Sequence, residues 1–173
     1  MPVSLHTATV GTFLQILPQV AGMIDKAEAH CASNTLSPET LTGACLSEDM
    51  WNFAKQVTST ATHSVGAIAA VKAGKFSPDR TLAPLDFAAL REVIGTAIVS
   101  LQAEDPAEIE ALVGRDTYFA FGDMRMDFTV EDFLLSFSMP NFYFHAATSY
   151  NILRNNGVKI GKMDFLGRPR LKV

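Results

Sequence analysis

Apolar residues recur every three or four positions through the first thirty residues of the chain. This spacing corresponds to one face of an α-helix, and it predicts a first helix from about Leu5 to His30. Pro18 lies inside the segment and predicts a kink, because proline has no amide hydrogen and its ring presses on the preceding turn. The predicted buried stripe comprises Val10, Phe13, Leu14, Leu17, Val20, Ile24 and Ala27.

A second helical pattern follows a loop that is rich in Ser, Thr and Pro. Ser47 is predicted to cap this helix, with Glu48 and Asp49 in a first turn where acidic side chains are favourable. Gly74 is predicted to end the helix, and Trp51 to anchor the core against the loop. The predicted core stripe comprises Met50, Phe53, Ala54, Val57, Ala61, Val65 and Ile68.

The third helix is predicted to open at Pro84, since proline is favoured in the first helical turn. After it, Asp105 to Glu108 has the pattern of a capping box and predicts a short helix over residues 106 to 112. One face of the third helix is predicted to be buried through Phe87, Leu90, Ile94, Ala97 and Leu101.

Two runs of β-forming residues flank Gly122-Asp123, which predicts a hairpin with glycine first in a two-residue turn. Thr129 is predicted to cap a fourth long helix that extends to about Asn155, and Gly157 supplies a left-handed end. Four long helices with short connections predict a mainly all-α fold, an antiparallel four-helix bundle with a short β-hairpin before the last helix. We expect one domain that covers residues 1–173.

The composition adds constraints on partners. Charged residues make up only 18% of the 173 residues while hydrophobic residues make up 48%, so we expect a large core or a subunit interface to cover much of the apolar surface. The net charge is −4 and the chain has no basic block, which argues against nucleic acid as a partner.

The expected compartment is the cytoplasm. The first residues lack the pattern of a signal peptide, and Cys31 and Cys45 are expected to be reduced thiols. The run from Phe133 to Leu153 contains no Asp, Glu, Lys or Arg. It nevertheless contains too many polar side chains to be stable in the hydrocarbon core of a membrane. We therefore expect no membrane association.

Two of the predicted helices are uncharged over long stretches, and each carries one histidine. His145 lies in the run from 133 to 153, and His63 lies in the run from 56 to 71. A helix without charge on any face is usually covered on all sides. Both histidines are therefore predicted to lie inside the bundle or at a subunit interface.

A strip of uncharged polar residues accompanies each histidine at helical spacing. If the two strips face each other, they line a small polar pocket between the second and fourth long helices. Each histidine could equally be a core residue whose nitrogens are satisfied by neighbouring groups. The predicted pocket-lining residues are Gln56, Ser59, Thr60, His63, Asn141, His145, Thr148 and Ser149.

The chain resembles an uncharacterised bacterial domain family within the DinB/YfiT-like group of four-helix bundles. The resemblance extends from "FLQIL" through "LSEDMWNFAKQV" and is most specific in "PNFYFHAATSYNILRNNGVKIGKMDFLG". It implies an up-down-down-up bundle in the bacterial cytoplasm, commonly a homodimer.

The resemblance also implies a metal site from which this sequence departs. Better-known members of the wider group bind a divalent metal through one histidine of the second helix and an H-x-x-x-H pair of the fourth, and some are thiol-dependent transferases. Here His145 would be the first of the pair, but Ser149 stands where the second would be. His63 is a candidate on the second helix, although the usual position corresponds to Ser59. Two imidazoles and a hydroxyl make a poor site for zinc or nickel.

We therefore expect a DinB-like bundle that binds an unknown small molecule in a polar pocket and holds only a degenerate metal site. Two alternatives stay open: a metal-dependent enzyme related to the thiol transferases, and a structural homodimer whose fourth helix forms the interface. We expect no residue to act as a metal ligand. The sequence assigns no catalytic residue and leaves open whether the protein is an enzyme.

Overall fold

A computed structural model describes residues 3–78 and 81–172 of the chain. It contains long helices, short helical turns and a small sheet. The helices are α1 Leu5–Ala8, α2 Val10–Ser33, α3 Glu39–Thr42, α4 Phe53–Thr62, α5 Val65–Ala73, α6 Phe87–Gln102, α7 Pro106–Glu110, α8 Val130–Asp132, α9 Met139–Asn155 and α10 Lys162–Leu166, and the strands are β1 Lys75–Phe76, β2 Asp116–Phe121 and β3 Met124–Thr129.

The first predicted helix is present but is divided at Thr9. The Thr9 hydroxyl donates to the Leu5 carbonyl at 2.7 Å. The helix α2 then continues through Pro18 to Ser33. By length and composition alone, residues 5–33 are apolar enough to cross a membrane. In the fold, α2 is a core helix that packs against α6, α9 and α10.

The second predicted helix begins later than expected and is broken in two. Asn52, not Ser47, caps it by accepting from the Lys55 amide at 2.9 Å, and α4 ends just before His63. The Ser64 hydroxyl donates to the Thr60 carbonyl at 2.8 Å, a local bond that competes with the helical hydrogen-bond ladder. After this break α5 continues to a left-handed stop at Gly74.

The third predicted helix also begins after its expected start. Asp86 caps α6 by accepting from the Ala89 amide at 2.7 Å, so Pro84 precedes the helix and does not open it. The predicted apolar stripe from Phe87 to Leu101 is buried. The short helix α7 is capped by Asp105 but ends at Glu110, two residues before its predicted end.

The predicted hairpin is confirmed and has an additional strand beside it. β2 pairs antiparallel with β3 from Asp116 opposite Thr129 to Phe121 opposite Met124, and Gly122 in the turn has a φ of 57°. The sequence did not predict β1, which pairs parallel with β2 so that the strand order is β1-β2-β3.

The last long helix contains a π-helical segment that the sequence did not predict. Thr129 caps α8 as expected, and residues Phe133–Ser138 are π-helical before α9 continues to Asn155. This wider turn ends two residues before Pro140, which lacks the amide hydrogen that an α-helical bond to the Ser136 carbonyl requires. Segments of this kind are frequent at functional sites.

The long helices form an up-down-down-up bundle. α4 packs against α9 and α2 packs against α6, while α4 also contacts α6 and α2 contacts α9. The core between them is aromatic and aliphatic, with the rings of Phe13 and Phe142 in edge contact at 4.8 Å between centroids. This arrangement confirms the predicted four-helix bundle and places the two uncharged helices, α4 and α9, side by side.

Candidate functional site

Three rings stack where α4 packs against α9. The rings of His63 and His145 have centroids 5.6 Å apart and planes inclined by 23°. The indole of Trp51 stacks on His145 with centroids 5.5 Å apart and planes inclined by 15°. We call Trp51, His145 and His63 the histidine stack. Phe76 and Phe137 flank His63, at 5.3 and 5.9 Å between centroids.

Gln56 fixes the tautomer of His145. The Gln56 amide group donates from Nε2 to the Trp51 carbonyl at 3.1 Å, so its Oε1 is the atom that faces His145 Nδ1 at 2.7 Å. An amide oxygen only accepts, so Nδ1 must carry the hydrogen. A neutral His145 therefore has its lone pair on Nε2.

Ser138 has the same effect on His63. The Ser138 hydroxyl donates its one hydrogen to the His63 carbonyl at 3.0 Å, and its oxygen lies 3.5 Å from His63 Nδ1. The hydroxyl oxygen can then only accept from Nδ1, which again leaves the lone pair on Nε2. Ser138 is the last residue of the π-helical segment. Its hydroxyl bonds the His63 carbonyl, which has no helical partner because α4 ends there.

Both imidazoles are kept neutral at physiological pH. Burial, with a smaller contribution from the nearby His145, lowers the pKa of His63 to about 4. Burial also lowers the pKa of His145 to about 4, with a smaller effect from the positive charge of Lys55. No acidic group contributes to either shift, in keeping with the uncharged composition of the two helices.

The eight predicted pocket residues divide into three groups. Gln56, His63 and His145 meet across the helix interface. The polar groups of three others bond to carbonyls of their own helix, one turn earlier: Thr60 to Gln56, Ser149 to His145 and Asn141 to Phe137. Ser59 and Thr148 are also buried.

Two further members of the site, Trp51 and Ser138, are not among the eight predicted pocket residues. Trp51 was predicted to anchor the core, but it is 53% exposed and covers His145 at the protein surface. Ser138 gave no signal, because a serine in an apolar run is ordinarily read as a helix residue that bonds its own backbone.

These residues fit a divalent metal poorly. The site offers two imidazole nitrogens, and within residues 3–78 and 81–172 no three His, Cys, Asp or Glu side chains are grouped in a way that could hold a metal ion. Ser149, at the position where the resemblance to the wider group would place a second histidine, donates its hydroxyl to the His145 carbonyl at 3.0 Å. We therefore derive no chemistry through a metal.

The fold and site define a DinB-like helical bundle with a stacked pair of histidines where two of its long helices pack. A family model described as a domain of unknown function, DUF1993, matches residues 5–166. The chain belongs to the DUF1993 family.

A solved structure shows the same fold. The chain is similar to a DinB family member protein from Shewanella denitrificans, with 26% sequence identity and a TM-score of 0.81. The match covers 98% of this chain and 95% of that one. No curated protein matches the chain.

Proposed function

We propose that the protein binds a small uncharged molecule at the histidine stack, one that donates hydrogen bonds to the two imidazoles and lies against Trp51. The observation that carries this proposal is the pairing of two neutral imidazoles from two uncharged helices. Each has its Nδ1 bonded within the protein, and in the described residues neither has a hydrogen bond at Nε2.

The tautomers decide which ligand chemistry fits. Two Nε2 lone pairs accept hydrogen bonds and cannot donate them, so a hydroxyl or an amide N–H is favoured. A carboxylate would bring further lone pairs against these nitrogens. A cation would be repelled by Lys55, whose charge already acts on His145. An uncharged donor avoids both penalties.

Trp51 supports a planar ligand. Its indole is half exposed while stacked on His145, so an aromatic surface continues from solvent to the buried imidazoles. Aromatic side chains favour offset-stacked partners and add about 0.5–1.5 kcal/mol beyond simple burial. A flat amide would use both the stacking surface and the imidazole acceptors.

Benzamide is a suitable probe for this proposal. We expect it to shift the Nε2 resonances of His63 and His145 in the ¹⁵N spectrum of the protein and to quench the fluorescence of Trp51, the only tryptophan. Benzoate, which has no donor, should cause neither change at the same concentration.

Two substitutions of one residue separate binding from folding. The amide introduced by His145→Asn would keep a donor toward Gln56 but lose the Nε2 acceptor, whereas His145→Gln places an amide oxygen nearer the Nε2 position. We expect the first variant to lose benzamide binding by about tenfold, the worth of one hydrogen bond, and the second to retain more of it. Equal binding by the wild type and His145→Asn would contradict the proposal.

We also propose that the partner is a second copy of the chain, docked through the exposed face of α9. The chain has no charged residue from 133 to 153. It exposes Tyr143 and Phe144 on α9, the latter by 55%, and Leu135 in the π-helical segment just before it. Exposed apolar patches of this kind are typical of interaction sites, and a twofold dimer uses the same patch on both subunits.

The substitution Phe144→Lys tests this interface. We expect the wild type to sediment as a dimer at micromolar concentration and the variant as a monomer, because two charges would be buried near the twofold axis without partners. Val99→Lys, at a position 66% exposed on α6, is the matched control and should remain dimeric. A monomeric wild type would refute the interface.

A further inference from the structure

A cavity lies on a different face of α4 from the histidine stack. It has a volume of about 890 Å³ and lies between α4, α5 and α6, with residues 81–84 as part of its wall. None of the eight predicted pocket residues lines it. Its volume is within the range of about 300–1,000 Å³ that is usual for small-molecule sites.

Small aliphatic side chains make up the long walls of this cavity. Ala61, Val65 and Ala69 line it from α4 and α5, and Val93 and Ala97 line it from α6. Small residues on both helices leave a groove between them, where larger ones would close it. Lining residues extend from Lys55 to Ala73 along α4 and α5, so the groove suits an extended chain better than a compact ring.

Two hydroxyl groups in the wall are already satisfied by the protein. Thr58 donates to the Lys55 carbonyl, and Thr62 donates to the Thr58 carbonyl, both at 3.1 Å. These groups therefore require no hydrogen bond from a ligand. The body of the cavity is suited to an apolar occupant.

A lysine side chain lies at each end of the groove. Lys55 lies at the start of α4, where its Nζ donates to the Thr81 carbonyl at 3.2 Å, and Lys75 lies beyond the end of α5. Glu92 is the one acidic residue among the described lining residues. Lys75 forms no ion pair with any residue that the structure describes, and its Nζ lies 6.0 Å from the centroid of the Tyr118 ring.

We infer that this cavity binds a single-chain amphiphile with a carboxylate head, such as a fatty acid. The chain lies along the alanine and valine wall, and the carboxylate pairs with Lys75, at the end of the groove away from Lys55. This site is separate from the histidine stack, and its occupancy does not depend on the function proposed there.

Dodecanoate, below its micellar concentration, tests the inference by titration calorimetry. Ala69 is exposed although it lines the groove, so Ala69→Trp fills the cavity without entering the core. We expect saturable binding to the wild type and a loss of at least about tenfold in Ala69→Trp. Lys75→Gln should also weaken binding by about tenfold, since a hydrogen bond to a charged group is worth about 1.5–3 kcal/mol.

Matched controls exist for both variants. Ala88 is an exposed alanine of α6 that does not line the cavity, and Lys159 is an exposed lysine remote from it in sequence. Ala88→Trp and Lys159→Gln should bind dodecanoate as the wild type does. Nuclear Overhauser contacts between dodecanoate methylenes and the Ala69 methyl in the wild type provide a measurement that needs no variant.

Four results would overturn the inference. Equal affinity for dodecanoate and dodecanol would show that the head group is not recognised. Undiminished binding by a folded Ala69→Trp, or no contact to the Ala69 methyl, would place the ligand elsewhere. Dissociation of a wild-type dimer by Ala69→Trp would show that a second copy of the chain covers the groove.

Discussion

Acidification from pH 6.5 to about 4 is expected to cost the folded protein about 3 kcal/mol for each imidazole of the histidine stack. The pKa of both His63 and His145 is lowered from 6.5 to about 4 in the folded chain, and each pKa unit corresponds to about 1.4 kcal/mol. The two costs together are less than their sum, because part of the His63 shift is repulsion from a protonated His145.

The direction follows from which state binds protons. Between pH 4 and 6.5 the unfolded chain protonates its histidines while the folded chain keeps these two neutral, so protons favour unfolding. The stabilisation is fully present above pH 6.5 and is lost as the pH falls toward 4. For a domain whose total stability is about 5–15 kcal/mol, this is a large fraction.

Urea unfolding at pH 7.0, 6.0 and 5.0 measures the effect, and the imidazole proton resonances show its cause. Both rings should remain neutral in the folded protein at pH 5. The double variant His63→Asn, His145→Asn should lose most of the pH dependence in this window. If either ring titrates near pH 6.5 in the folded state, the explanation is wrong.

The helices could be predicted from the sequence because their apolar periodicity is long and regular. Their first residues could not, because capping residues are common and tertiary contacts select among them. Ser47 and Asn52 are both good caps, but the Phe53 amide donates to the Ala44 carbonyl at 2.8 Å, which closes the loop and starts α4 after Asn52. Similarly, α6 begins after the capping residue Asp86 and not at Pro84.

β1 and the π-helical segment could not be predicted from the pattern of hydrophobic residues, because neither changes that pattern appreciably. Lys75–Phe76 is two residues long and exists as a strand only because it pairs with Tyr118 and Phe119, far along the chain. The π-helical segment and an α-helix differ only in the pairing of their backbone hydrogen bonds. Pro140 was the one local sign in the sequence that this pairing changes near residues 133–138.

The histidine pair could be predicted because a lone titratable residue in an uncharged helix is unusual, and two such helices in one bundle suggest that they meet. The sequence did not predict how the pair is held. Stacking of Trp51 requires the chain before α4 to fold back over His145, and the Ser138 contact depends on the break in α4 that leaves the His63 carbonyl free. Both are consequences of tertiary structure.

The largest effect of a single substitution is expected for Phe142→Ala. Phe142 lies one turn before His145 on α9, is fully buried and packs edge-on against Phe13 of α2 at 4.8 Å between ring centroids. It therefore joins the helix that carries the stack to the core helix. Removing a buried phenylalanine ring leaves a cavity and costs about 3–5 kcal/mol, so we expect the free energy of unfolding to fall by that amount in urea at pH 7.

Phe144→Ala is the matched control, because Phe144 is the same residue type two positions along the same helix and is 55% exposed. Measured at a concentration where the protein is monomeric, it should lower the free energy of unfolding by less than about 1 kcal/mol, as surface substitutions usually do. Because Phe142 positions α9, its loss should also separate the His63 and His145 rings and raise their pKa values toward 6.5. Equal destabilisation by the two variants would mean that α9 does not pack on α2 through Phe142.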